Sequence, residues 1–238
     1  MIWIPYCGAA PVPGALMARW NFDPVLLLGF AVAIAGFVYF GSRDAARRAW
    51  FAAATGILAV LFVSPFCALT SALFAARVAH HVVLTAVAAP LLAAALPAIP
   101  RGGIALWAGL HALVFWVWHA PPVYGWALSS HGAYWLMQAT LLGSAVALWS
   151  AVRAAPMPAA IAALLATMVQ MGLLGALITF APAPLYAPHY LGPIAWGFTP
   201  LEDQQLAGLI MWAPGAAVYL AAALALLSRW FAREQAAA

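Results

Sequence analysis

Lysine is absent from this chain, acidic residues number five, cysteines two, and charged residues make up 6% of its 238 positions. Without lysine there is no retinal Schiff base, so a light-driven heptahelical pump is excluded. With so few carboxylates, a Ca²⁺ or Mg²⁺ site is disfavoured. A soluble domain carries about four times this charge. Eight of the nine arginines are scattered through connecting segments and the tail instead of forming a basic patch, which excludes nucleic acid as a partner.

What is abundant is hydrocarbon. Hydrophobic residues make up 68% of the chain and mean hydropathy is +1.01. Apolar segments fall at about 24–40, 50–66, 71–95, 104–119, 133–152, 157–180 and 206–228, each near the roughly 20 residues that cross a bilayer as a helix. The expectation is an all-α, polytopic membrane protein: one domain over residues 1–238 with seven transmembrane helices embedded in the lipid bilayer. Met1–Ala18 is apolar but has no basic leading region and is broken by Pro5, Pro11 and Pro13. It therefore reads as a surface strap, residues 1–23, and not as a cleaved signal.

Arginine placement sets an expected orientation. Arg43, Arg47, Arg48, Arg101, Arg153, Arg229 and Arg233 fall in alternate connections and the tail, whereas the opposite connections hold only Arg19. The positive-inside rule then puts the C-terminus in the cytoplasm and the N-terminus outside. At about 1.5 Å per residue, His80 and His81 lie roughly 13–15 Å below the outer edge of the third helix. Every histidine falls in the outer half of the membrane, near its midplane or beyond its outer face.

Arg77-Val-Ala-His80-His81 is the most expensive stretch to insert, since a central Arg costs roughly 2.5–3.5 kcal/mol. Such residues mark a functional path, or else Arg77 snorkels outward while the histidines bond neighbouring helices. His111 and His119 are two turns apart on one aromatic face, which suits a column of sites or a packing face with one cross-helix bond. His80, His81, His119 and His131 are the candidate metal ligands. With Met168, Met171 and Met211 nearby in sequence or depth they form a soft donor set of the kind that selects copper, although methionine is also ordinary core filler. Asp203, followed by Gln204, stands at the outer start of the last helix as a polar site or as that helix's own cap. Gly208 permits close helix approach, and Pro214 frees the Ile210 carbonyl and bends the helix. Cys7 and Cys67 are both expected outside, as a disulfide, as free thiols or as copper ligands.

Several of these features occur together. Ser64-Pro65-Phe66, His81 followed by Pro90-Leu91-Leu92, His119-Ala-Pro121-Pro-Val-Tyr124, and Asp203-Gln204-Gln-Leu-Ala-Gly208 running on to Met211-Trp212-Ala-Pro214 resemble the multi-spanning CtaG-type family of cytochrome c oxidase assembly factors. That resemblance implies an inner-membrane protein, not an enzyme, that helps mature a haem-copper oxidase by supplying or inserting copper. Its implied partners are an oxidase subunit and a periplasmic copper chaperone. Two positions depart from the pattern: Arg77 stands where many members carry His, and Gln138 where a later His is expected. A second reading is a redox membrane protein whose intramembrane histidines bind haem or quinone.

Overall fold

The computed structural model describes residues 3–97 and 102–237, so Arg101, one of the orientation-setting arginines, lies outside the described residues. Among the described residues every regular element is helical. The helices are α1 (Pro24–Phe40), α2 (Ala45–Phe62), α3 (Pro65–Ala72), α4 (Phe74–Val83), α5 (Ala89–Ala95), α6 (Ile104–His119), α7 (Pro121–Ala127), α8 (His131–Ala154), α9 (Met157–Thr179), α10 (Pro200–Ile210) and α11 (Ala216–Ala237).

Among the described residues five helices, or helix runs, are long and apolar enough to cross a membrane: Ala45–Phe62, Phe74–Ala95, His131–Ala154, Met157–Thr179 and Pro200–Ala236. A sixth appears when α6 and α7, bent by 81° at their junction, count as one broken span. The seventh expected helix, α1, is apolar but only 17 residues long, about 25 Å at 1.5 Å per residue.

Three expected helices change shape at proline. The segment expected to run unbroken to residue 66 ends at Phe62. Ser64 then accepts the Phe66 N–H at 3.2 Å and starts α3 with Pro65 in its first turn, where a missing N–H costs nothing. α4 therefore begins at Phe74, not at Ser71. Between α4 and α5 a single widened turn covers Leu84–Ala88, in which the Ala89 N–H reaches back to the Leu84 carbonyl. That leaves the Thr85 carbonyl without its helical donor, and Pro90, the next residue in line, has no N–H to offer. Trp149 Nε1 of α8 fills the vacancy at 3.0 Å. The last segment likewise widens over Met211–Gly215 around Pro214, joining α10 to α11.

The run from α4 to α5 and the helix α8 form the buried centre of the bundle, each 61% inside over its most apolar stretch. α9 packs against both α10 and α11, and its approach to α10 is set by Gly175 and Gly208. A Cβ on Gly208 would come within 2.6 Å of the Gly175 carbonyl oxygen, and one on Gly175 within 2.8 Å of the Gly208 oxygen. Such backbone-to-backbone contact is the use of small residues in membrane helices. Gln204 pins the chain that leaves α9: its Oε1 accepts the Leu185 N–H at 2.6 Å, and its Nε2 donates to the Ile178 carbonyl at 3.2 Å.

Cys7 and Cys67 are bonded to each other, so of the three readings open from the sequence the disulfide is the one realised. It ties the strap to α3. The Ile4 N–H donates to the Leu128 carbonyl at 2.9 Å, and Trp196 Nε1 donates to the Pro11 carbonyl at 2.9 Å. The strap, α3 and the long connection between α9 and α10 thus close one end of the bundle together.

Candidate functional site

Arg77, His80 and His81 are all buried on α4, at 0%, 0% and 2% exposure. The arginine does not snorkel outward. Its Nη1 donates to the Tyr134 hydroxyl at 3.4 Å, and its guanidinium lies 5.2 Å from the centre of the Tyr134 ring, a cation–π contact. Its Nε and Nη2 have no partner. Tyr134 is stacked in turn beneath Tyr6 of the strap, with ring centres 5.1 Å apart.

α6 packs on α8, and this brings His119 beside His81, with ring centres 5.7 Å apart and nearly perpendicular planes. His119 Nδ1 lies 2.7 Å from the Phe115 carbonyl oxygen. A carbonyl only accepts, so Nδ1 carries the proton and, in the neutral ring, Nε2 is a bare lone pair. That Nε2 is buried without a partner, as are His81 Nδ1 and both nitrogens of His80. His81 Nε2 is 3.4 Å from the Gln138 amide on α8. His80 sits 5.8 Å from the His81 ring and edge-on to Phe62 at 4.9 Å. Among the described residues the core of the bundle therefore holds four imidazoles with unused nitrogens, those of His80, His81 and His119 together with His111 Nε2, and an arginine with no acid beside it.

The remaining candidates are not drawn into this cluster. His131 is exposed at the start of α8, 5.3 Å edge-on from Tyr6, and so it is set apart from the other three expected ligands. His111 bonds Ser144 across helices at 3.0 Å and stands in a column with Phe115 and His119, the packing arrangement that its spacing allowed. Met171 and Met211 are fully buried, and the methyl end of Met171 lies against Gly215 beside Val82 of α4. Among the described residues no group of three or more His, Cys, Asp or Glu side chains is placed to hold one metal ion.

Asp203 does not cap its own helix. Thr199 and Glu202 form a reciprocal capping box there, with the Glu202 N–H on Thr199 Oγ1 at 3.2 Å and the Thr199 N–H on Glu202 Oε2 at 2.7 Å. Asp203 instead reaches α4 and accepts the N–H groups of Phe74 and Ala75 at 2.7 and 3.1 Å. Leu73, the residue before α4, supplies no side-chain cap. The carboxylate thus takes over that role from a distant part of the chain and meets the positive end of the helix dipole. It fixes where α4, and hence His80 and His81, begins.

A family model for the cytochrome c oxidase caa3 assembly factor matches residues 104–233, more than half of the chain. The chain belongs to that family. No curated protein and no solved structure matches it. The matched stretch of this assembly factor contains His111, His119, Tyr124, His131, Gln138, Met171, Asp203, Gln204 and Met211, whereas Arg77, His80, His81 and both cysteines lie before it. Membership makes the protein a membrane-spanning oxidase assembly factor, associated in that work with a cytochrome oxidase.

Reading the sequence by itself passed over three residues of the assembly factor's site. His189 is 3% exposed although it lies in the long connection. It accepts from the Tyr124 hydroxyl through Nε2 at 2.7 Å, and its Nδ1 lies 3.5 Å from the Ala72 carbonyl. Burial first, then the positive Arg77, lowers its pKa to about 3. Tyr186, from the same connection, donates to the His119 carbonyl at 2.8 Å. Tyr134 had a detectable signal: it lies four residues before Gln138, on the same face of α8. His189 and Tyr186 had none, because a loop has no periodicity from which to read an inward-facing side chain.

Proposed function

We propose that this assembly factor takes copper from the periplasmic side and passes it to a haem-copper oxidase subunit, holding the ion at His81 and His119. The observation that carries the reading is the tautomer of His119: with Nδ1 committed to the Phe115 carbonyl, Nε2 is a ready donor, buried and unused, beside the second imidazole. Neutral imidazole is a good ligand for copper, and the fully buried Met171 and Met211 add soft thioethers to neighbouring helices. The residues fit a low-charge ion better than a divalent one. Arg77, about one turn from His81, repels a unit positive charge by about 3 kcal/mol at about 6 Å and an effective dielectric of 20, and a divalent ion by twice that. Cu(I) is therefore the species the site favours.

The same proposal includes seven membrane spans, with α1 the shortest, the N-terminus in the periplasm and the C-terminus in the cytoplasm. Seven arginines against one in alternate connections support it, and so does a disulfide at the end where the arginines are few. His81→Ala should lower oxidase activity in copper-limited cells severalfold at unchanged protein level, and added copper should restore part of it by mass action. His131→Ala, away from the cluster, should leave activity as it was. Normal oxidase activity in the His81→Ala strain under copper limitation would return His81 to a packing role.

A further inference from the structure

A cavity of about 1000 Å³ lies between α1 and the rest of the bundle, bridged where Phe37 of α1 stacks on Phe51 of α2 with ring centres 3.9 Å apart. It extends from Val25 and Leu26 at one end of α1 to Phe40, Gly41 and Ser42 at the other, with Leu58, Leu92, Trp135 and Leu142 on the far wall. α1 buries only Leu26. Its small residues Gly29, Ala33 and Gly36 line the cavity, and a Cβ on either glycine would meet nothing within 4 Å. Small residues normally let helices touch. Here they face open space.

The dimensions and the charge of the lining both limit the occupant. The cavity runs the roughly 25 Å length of α1, and its lining is apolar apart from Ser42, Arg47, Thr55 and Gln138. Such a lining takes hydrocarbon chains, and a basic side chain at one mouth favours an anionic head group. The length exceeds the roughly 15 Å depth of one leaflet. Among the described residues one lining residue is charged, the half-buried Arg47, which stands near Ser42 at the mouth. Arg43 and Arg48 flank it in sequence. Asp44, the nearest acid in the chain, accepts the Arg47 backbone N–H at 3.2 Å as the cap of α2 and does not line the cavity.

We infer that one anionic phospholipid occupies this cavity, with its phosphate on the Arg47 guanidinium and Ser42 hydroxyl and its acyl chains along the Gly29–Ala33–Gly36 face. The lipid fills space that α1 leaves open and joins α1 to the bundle. Gln138 lines the other part of the same cavity and meets His81 at 3.4 Å, so the lipid and the histidine cluster share one side chain as a wall.

Native mass spectrometry of the full chain, extracted in mild detergent and offered phosphatidylglycerol or phosphatidylcholine, tests this. The expected result is one retained phosphatidylglycerol in preference to phosphatidylcholine. Arg47→Gln should weaken that retention about fivefold, the effect of one basic residue on an anionic lipid. Ala33→Trp, which fills the cavity, should abolish retention of both. Should Ala33→Trp fail to fold, Arg47→Gln decides alone, since that side chain reaches solvent and its loss leaves the core intact. Equal retention of the two lipids, no change in Arg47→Gln, or a co-purifying isoprenoid quinone in place of phospholipid would each overturn the inference.

Discussion

Tyr124 and His189 make the closest side-chain pair across the long connection, 2.7 Å apart with both partners buried. Tyr124→Phe removes the donor and leaves a buried ring nitrogen unsatisfied, a change that costs about 1–3 kcal/mol. A thermal melt of the purified protein should register it as a lower midpoint. His189 also makes stability depend on pH. Its folded pKa of about 3 lies below the ordinary histidine value, because burial and then Arg77 oppose the charged ring. The neutral ring's contribution is therefore fully present above about pH 6.5 and is lost as pH falls towards 3, amounting to roughly 2 kcal/mol by pH 5. Melts between pH 7.5 and 5 should show that loss, and His189→Gln should flatten the slope. An unchanged slope in the variant would assign the dependence to other groups.

The pairing of α9 with α10 rests on two glycines, and the tolerance there is narrow. In Gly208→Ala the new methyl meets the Gly175 carbonyl oxygen and the Thr179 N–H nitrogen at 2.6 and 2.7 Å, both backbone atoms that cannot swing aside. Overpacking of this kind typically costs 1–3 kcal/mol. Because α10 also carries Asp203, the cap of α4, the variant should lose oxidase-assembly activity along with stability. Gly29→Ala, on the open face of α1, should by contrast leave the melt unchanged. If the two variants melt alike, α9 and α10 are not held by close approach. Apolar length made the long helices legible in the sequence, and Pro214 marked where the last span departs from a regular helix as a widened turn over Met211–Gly215. The early start of α3 and the shift of α4 to Phe74 were not foreseen, although Ser64-Pro65 is a recognisable helix start. An unbroken apolar run conceals a break when the capping groups, here Ser64 and the distant Asp203, are not weighed against it.

At the scale of the molecule, one end is covalently closed by Cys7–Cys67, which spans 60 positions. In the chain-entropy account a loop of that length contributes about 4 kcal/mol as an upper figure. Reduction should therefore lower the melting midpoint, and an impermeant thiol reagent applied to reduced, intact spheroplasts should reach Cys7 before the fully buried Cys67. Labelling confined to inside-out vesicles would place them on the other face. A reporter fused after Ala238 should be active in its cytoplasmic form only. Activity solely in a periplasmic form would reverse the proposed orientation.

Membrane residence, helical class and the family are already determined by the sequence alone, because each depends on composition, on segment length or on short motifs such as His119-Ala-Pro121-Pro-Val-Tyr124 that are local in the chain. The pairing of the cysteines, the meeting of His81 with His119, the separation of His131 from them and the capping of α4 by Asp203 were decided only by the tertiary structure. Each joins residues of different helices or loops, and a helical period fixes which face a side chain occupies without naming the helix it will face. Short-range terms act along one segment. The choice of neighbour depends on packing, on close approach at Gly175 and Gly208, and on which buried donor happens to find which acceptor.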